Sequence, residues 1–204
     1  MGLFDDLRRQ AESLIKGTAT AASSTAGKAA SDAAAAAGTT KTVTISLLPQ
    51  TAEQMKSMPE FTLKDPYTVA AFVVAALDRY SQSREDAKAM LNVLKGPEPL
   101  SPRETQFIND RFMDGKGYVT RSYFAGSSPD NDYTPTAPYT VSVVEYRNSR
   151  ENAGYIKLFL KSSGADTPRP VTLRNKPSTG EWFLWEFEGI LSSIRMPKSS
   201  DKWA

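Results

Sequence analysis

The stretch Asp65-Pro66-Tyr67-Thr68-Val69-Ala70-Ala71-Phe72-Val73-Val74-Ala75-Ala76-Leu77-Asp78-Arg79-Tyr80 decides the fold class. Asp65 reads as a helix N-cap, because a short carboxylate can accept from the free backbone N–H groups of a first turn. Pro66 suits the first helical position, where no N–H is needed. Val69, Phe72, Val73, Ala76, Leu77 and Tyr80 then recur at helical spacing and form a buried stripe. The run from Pro66 to Leu77 is uncharged for 12 residues, well short of the roughly 20 that span a bilayer. It is expected as a core helix.

Working outward, Ser83-Arg84-Glu85-Asp86 resembles a capping box and opens a helix through Ala87, Met90, Leu91 and Leu94, stopped by Gly96 and Pro97. Ser101-Pro102-Arg103-Glu104 is a better box and starts a helix that buries Phe107, Ile108 and Phe112. A shorter helix is expected around Ala52 to Met58. Upstream of these, Val43, Ile45 and Leu47 alternate with Thr42, Thr44 and Ser46, the pattern of a half-buried strand closed by Pro49. After Gly117 the period shifts toward two. Strands are expected at Tyr118 to Phe124, Tyr139 to Tyr146, Tyr155 to Lys161, Pro170 to Arg174 and Glu181 to Glu188, with Asn175 to Gly180 as the loop joining the last two. Helices followed by antiparallel strands indicate an α+β fold, with the helices on one face of a curved, mostly antiparallel sheet.

All 13 prolines fall after residue 40, which places a domain boundary near Thr40. Three pieces follow: residues 1–16, 17–40 and 41–204. In the first, Leu3, Phe4, Leu7, Leu14 and Ile15 line one side of an expected amphipathic helix, with Ala11 between them and charged residues opposite. Residues 17–40 hold 11 Ala, 5 Thr, 3 Ser and 3 Gly, a composition read as a flexible tether. The start of the chain alternates charged and apolar groups, so it matches neither a secretory signal nor, with Asp6 where Ser or Thr is required, a myristoylation signal.

The chain has no His and no Cys. That excludes a Ser-His-Asp triad, a thiol nucleophile, imidazole acid/base chemistry and a Cys/His zinc site. The absence of disulfides fits a reducing, cytoplasmic setting. A net charge of +2 is too balanced for nucleic-acid binding by phosphate neutralisation. Asp114-Gly115-Lys116-Gly117-Tyr118-Val119 resembles the middle of a calcium loop. In that register, however, its first and twelfth positions are Phe112 and Tyr123, where carboxylates are required. Asp130-Asn131-Asp132 reads as a turn. Glu181, Glu186 and Glu188 read as solvated strand acids alternating with the core aromatics Trp182 and Trp185. No P-loop or dinucleotide glycine fingerprint occurs, so no cofactor and no metal are expected.

The positive signals are two. Arg111, Lys116, Tyr118, Arg121 and Tyr123 put basic and aromatic groups close together, a composition common at binding surfaces, although a helix-to-strand corner with snorkelling side chains has the same composition. The loop from Ser162 to Pro170 carries Asp166 and Arg169 between two expected strands, and loops are where binding residues concentrate.

Several longer segments carry a resemblance. They are Leu91 to Pro97 through Pro99 to Pro102, Gln106 to Lys116, Arg121 to Phe124 with Tyr133 to Pro135, and Ser163 to Asp166 through Arg169 to Arg174 with Trp182 to Glu186. Over about residues 43 to 204 the chain resembles an uncharacterised domain family of Gram-positive, often gut-dwelling, bacteria. The resemblance implies a bacterial source and an intracellular domain. It brings no activity, substrate or catalytic residue with it. The final hairpin also resembles the closing strands of nuclear-transport-factor-like α+β folds, which host both enzymes and binders.

The expected function is therefore a non-catalytic interaction or ligand-binding module attached through its first helix. The competing class is a carboxylate- or Mg-dependent hydrolase or transferase. Residues 3–16 are expected to make a protein contact or self-associate. A membrane surface is less favoured, because Asp5, Asp6 and Glu12 cancel Arg8, Arg9 and Lys16.

Overall fold

The computed structural model describes residues 38–203. The expected helix from Leu3 to Ile15 and residues 17–37 of the Ala-rich tether lie outside the described residues, whereas Thr39 and Thr40, read as the end of the tether, already belong to the first strand. The described part is an α+β fold. Strand β1 (Thr39–Ile45) comes first, and five helices follow it among the described residues: α1 (Ala52–Ser57), α2 (Pro66–Asp78), α3 (Arg84–Lys95), α4 (Pro102–Arg111) and the short α5 (Tyr118–Arg121). Strands β2 (Tyr139–Glu145), β3 (Tyr155–Leu160), β4 (Arg169–Lys176) and β5 (Glu181–Glu186) complete an open antiparallel sheet in the order β1-β2-β3-β4-β5. Val43 pairs with Val141 and Ile45 with Tyr139, so the strand before the helices closes against the first strand after them.

Alternation along the strands sends Ile45, Val141, Val143, Ile156, Leu158, Leu160, Val171, Leu173 and Leu184 to the helical side, all buried. Helix α2 packs against all five strands and against α3 and α5. It is consequently buried on nearly every side, from Pro66 to Asp78 with only Tyr67 half-buried, and not along one stripe as its spacing suggests. The reason is compositional. Ala70, Ala71, Ala75 and Ala76 leave no polar face, so a second layer of helices covers what the sheet does not.

Local chemistry fixes the helix ends. Asp65 accepts from Tyr67 N at 3.3 Å and from Thr68 Oγ1 at 3.1 Å. Ser101 and Glu104 form the full reciprocal box, and Glu104 also pairs with buried Lys95 at 2.6 Å, tying the end of α3 to the start of α4. At α3 only half a box forms. Ser83 accepts from Asp86 N, but the Asp86 carboxylate turns to Arg79 Nη2 at 3.1 Å. Gly96 ends α3 at φ 62°, and a Cβ there would sit 2.2 Å from the Phe183 ring of β5, so glycine serves both the cap and the close approach.

Three readings of the sequence are corrected. The stretch expected as a strand at Tyr118 to Phe124 is helix α5 followed by a turn, with a single bridge from Phe124 to Val141. Its hydroxyls favour this, since Thr120 donates to Gly117 O at 3.0 Å and Ser122 to Val119 O at 2.7 Å, closing helical turns. Leu47 lies past the end of β1 and is exposed. The last strand stops at Glu186, Glu188 begins a 3-10 turn, and the core residues there are Leu184 and Phe187. Trp185 instead packs on Tyr155, with ring centroids 5.7 Å apart, and beneath the Arg174 guanidinium.

Candidate functional site

The end of α4 and the start of α5 are joined by a tight reversal. Asp114 (φ 59°) and Gly115 (φ 73°) both adopt left-handed backbone, which turns the chain back on itself. Gly117 then comes so close to the corner between α2 and α3 that a Cβ would meet Ser81 Oγ at 2.3 Å. This contact sets Lys116, Tyr118 and Arg121 beside Ser81 and Arg84, and together they line a cleft of about 660 Å³. That volume lies within the range of small-molecule sites.

The floor of the cleft is aromatic. Tyr80 and Phe112 pack with ring centroids 5.0 Å apart, and Tyr118 stacks on Tyr133 at 5.7 Å and 18° between ring planes. Tyr80 is almost wholly buried and donates its hydroxyl to Asn109 Oδ1 at 2.6 Å. Burial pushes the hydroxyls of Tyr80, Tyr118 and Tyr133 above the usual tyrosine range, so they remain neutral donors.

The opposite wall is the segment after β5, where Met196, Pro197, Ser199 and Ser200 face the same cleft. Side chains from distant loops hold this segment. Tyr133 donates to Arg195 O at 2.9 Å, Ser199 Oγ donates to Asp132 Oδ1 at 2.7 Å, Lys198 pairs with Asp130 at 3.3 Å, and Arg195 pairs with Asp166. Arg169 donates to Ser192 O at 3.0 Å and Ser193 O at 2.7 Å. The Asp130-Asn131-Asp132 turn thus anchors the wall.

Behind the cleft lies Asp78, at the end of α2. Its carboxylate accepts from Thr120 Oγ1 at 2.9 Å and stands 3.5 Å from Arg121 Nε. Burial raises its pKa above the usual carboxylate value, against the opposing pull of Thr120 and Arg121. Among the described residues, no group of three or more Asp or Glu side chains comes together as a metal holder.

Of the residues singled out from sequence, Lys116, Tyr118 and Arg121 meet in this cleft. Arg111 is outside it, its guanidinium 5.0 Å from the Phe107 ring. Tyr123 lies in the core, 2% exposed, with its hydroxyl donating to Ile190 O at 2.6 Å. Asp166 and Arg169 grip the far side of the segment that forms the cleft wall. Arg84 and Met196 line the cleft without having been singled out, Asp132, read from sequence as part of a turn, lines it too, and Asp78 stands behind it unheralded. The only signal for Asp78 was an acid at the C-terminal end of an otherwise uncharged helix, where the helix dipole disfavours it.

Two further hollows flank Trp185. One, of about 270 Å³, lies by Pro97, Arg174 and Phe183, and the other, polar and of about 660 Å³ like the cleft, lies by Asn148, Asn152, Tyr155 and Glu186. Among the described residues, no helix is long and apolar enough to cross a membrane. The family model described as Domain of unknown function (DUF6935) matches residues 47–198, which takes in the helices, β2 to β5 and most of the cleft lining. No curated protein and no solved structure matches the chain.

Proposed function

We propose that this chain, which belongs to the DUF6935 family, is a non-catalytic ligand-binding module that seats its ligand in the cleft between α5 and the segment after β5. The observation carrying this reading is the convergence of Lys116, Tyr118, Arg121 and Arg84 on one concave, aromatic-floored surface. A concave site with a few convergent polar groups is the ordinary form of a ligand seat. In this reading the module works in the cytoplasm of a Gram-positive bacterium, and residues 3–16 attach it to a protein partner or to a second copy. The balanced charge of those residues favours protein contact over anionic lipid.

The competing reading, a carboxylate- or Mg-dependent hydrolase or transferase, has Asp78 in its favour as a buried acid beside the cleft. Its geometry argues the other way. The carboxyl is turned to Thr120 and Arg121, is 5% exposed, and so presents little oxygen to a substrate.

Native mass spectrometry of the full chain, mixed with a small-molecule extract of its source organism, tests the binding reading. The expected result is a discrete adduct that is lost in Arg121→Glu. Turnover of phosphoesters or glycosides with Mg²⁺, abolished by Asp78→Asn, would overturn it in favour of the enzyme.

A further inference from the structure

Resting on the cleft as ligand seat, we infer that its ligand is an aromatic compound carrying a single carboxylate. Arg121 supplies the first argument. Its Nε stands 3.5 Å from buried Asp78 Oδ1, while among the described residues its terminal nitrogens have no protein acceptor. Among the described residues the one buried side-chain polar atom without a partner is Arg79 Nε, so the ends of Arg121 are open to solvent in a side chain that is 43% exposed. A guanidinium paired with a buried carboxylate on its Nε side, with both terminal nitrogens free, is a fork shaped for two parallel bonds to a planar carboxylate.

Charge sets the number of negative groups. The cleft presents Arg84, Lys116 and Arg121. Against them stand Asp114, 3.9 Å from Lys116, then Asp132 on the lining, and Asp78 behind Arg121. Three cations thus face three carboxyls, and no excess positive field is left for a doubly charged group. One anion is matched by the open fork and by Arg84, which has no ion pair among the described residues. A dianion brings a second charge to be desolvated beside Asp114 and Asp132, which repel it.

The rest of the lining selects the body of the ligand. Phe112 and Tyr118, the latter backed by the buried Tyr133 ring, offer ring surface, and Met196, 51% exposed, overlooks the same space with a polarizable thioether suited to aromatic contact.

Three probes with one ring and stepwise charge test this on the full chain by ¹H–¹⁵N NMR titration near neutral pH: benzyl alcohol, phenylacetate and phenyl phosphate. The expected order is phenylacetate first, saturating near about 1 mM as suits so small a ligand, with the neutral and doubly charged probes each at least about tenfold weaker. Arg121→Lys keeps the charge, removes the fork and should weaken phenylacetate by about tenfold, the loss of one charged hydrogen bond. Arg84→Gln, at an exposed position, provides the same reading if the Arg121 variant does not fold. Phenyl phosphate or benzyl alcohol binding best at the cleft would overturn the carboxylate inference and leave the ligand seat standing. An absence of shifts at residues 112–121 with every probe would overturn both.

Discussion

Arg121 Nε stands 3.5 Å from Asp78 Oδ1, so a buried carboxylate at the end of α2 holds a cationic side chain that lines the cleft. The pair couples core to surface. Asp78 has its pKa raised by burial, which means the folded state holds its proton more tightly than the unfolded chain does. Stability linked to this group is fully present below the unfolded value, about 3.9, and is lost as pH rises through the higher folded value. Asp78→Asn keeps an acceptor for Thr120 and removes the ionisation. The melting temperatures of variant and parent should therefore diverge in the variant's favour as pH rises from about 4 toward neutrality. A difference independent of pH, followed by thermal melts across that range, would contradict the assignment.

Glu145 behaves in the opposite sense. Its pKa is lowered, chiefly by the Arg150 hydrogen bond at 2.6 Å, with Tyr67 donating from α2 as a further cause, and the Tyr67 hydroxyl is itself pushed up to about 12 by burial and by Glu145. A depressed folded pKa gives stability that is present above the unfolded value and disappears as pH falls through the folded one. Glu145→Gln should cost about 1 kcal/mol at neutral pH, a modest figure because Arg150 is half exposed. The cost should shrink in acid, and chemical denaturation at both pH values measures it.

Gly96 combines φ 62° with a Cβ position 2.2 Å from the Phe183 ring. Gly96→Ala should destabilise by about 2 kcal/mol or more, since strain and overpacking act together. Phe183→Ala in the same chain should recover part of the overpacking cost and leave the φ strain, a split that a double-mutant cycle isolates.

Much of the fold was legible in the residues, for reasons that are local. Asp65-Pro66 and Ser101 to Glu104 act within one turn of their own helices, and the alternation in β3 and β4 follows burial. Tyr118 to Phe124 misled because a seven-residue apolar and hydroxyl-rich run satisfies both periods, and back-bonding by Thr120 and Ser122 decided for helix. The site was half legible. Lys116, Tyr118 and Arg121 are near neighbours in sequence, whereas Arg84 and Met196 reach the cleft only through the packing of Gly117 on Ser81 and the anchoring of Ser199 on Asp132. No period or spacing encodes such contacts.

Removing residues 1–38 should leave cooperative unfolding intact, because β1 begins at Thr39 and its partners lie in β2. Sedimentation velocity should show self-association in the full chain and a monomer in the truncated one if residues 3–16 bind a second copy. Flotation of the full chain with anionic liposomes, abolished by Leu7→Asp, would instead assign that segment to a membrane surface.

The most direct test of the cleft as ligand seat is protein-observed ¹H–¹⁵N NMR with a library of soluble fragments of mixed charge. The expected result is that perturbed amides cluster at residues 80–84, 112–121 and 196–200, and that the cluster vanishes in Arg84→Glu/Lys116→Glu, both exposed lining positions, while the melting temperature holds. Perturbations gathered instead at Arg174 and Trp185, or spread without focus, would contradict it.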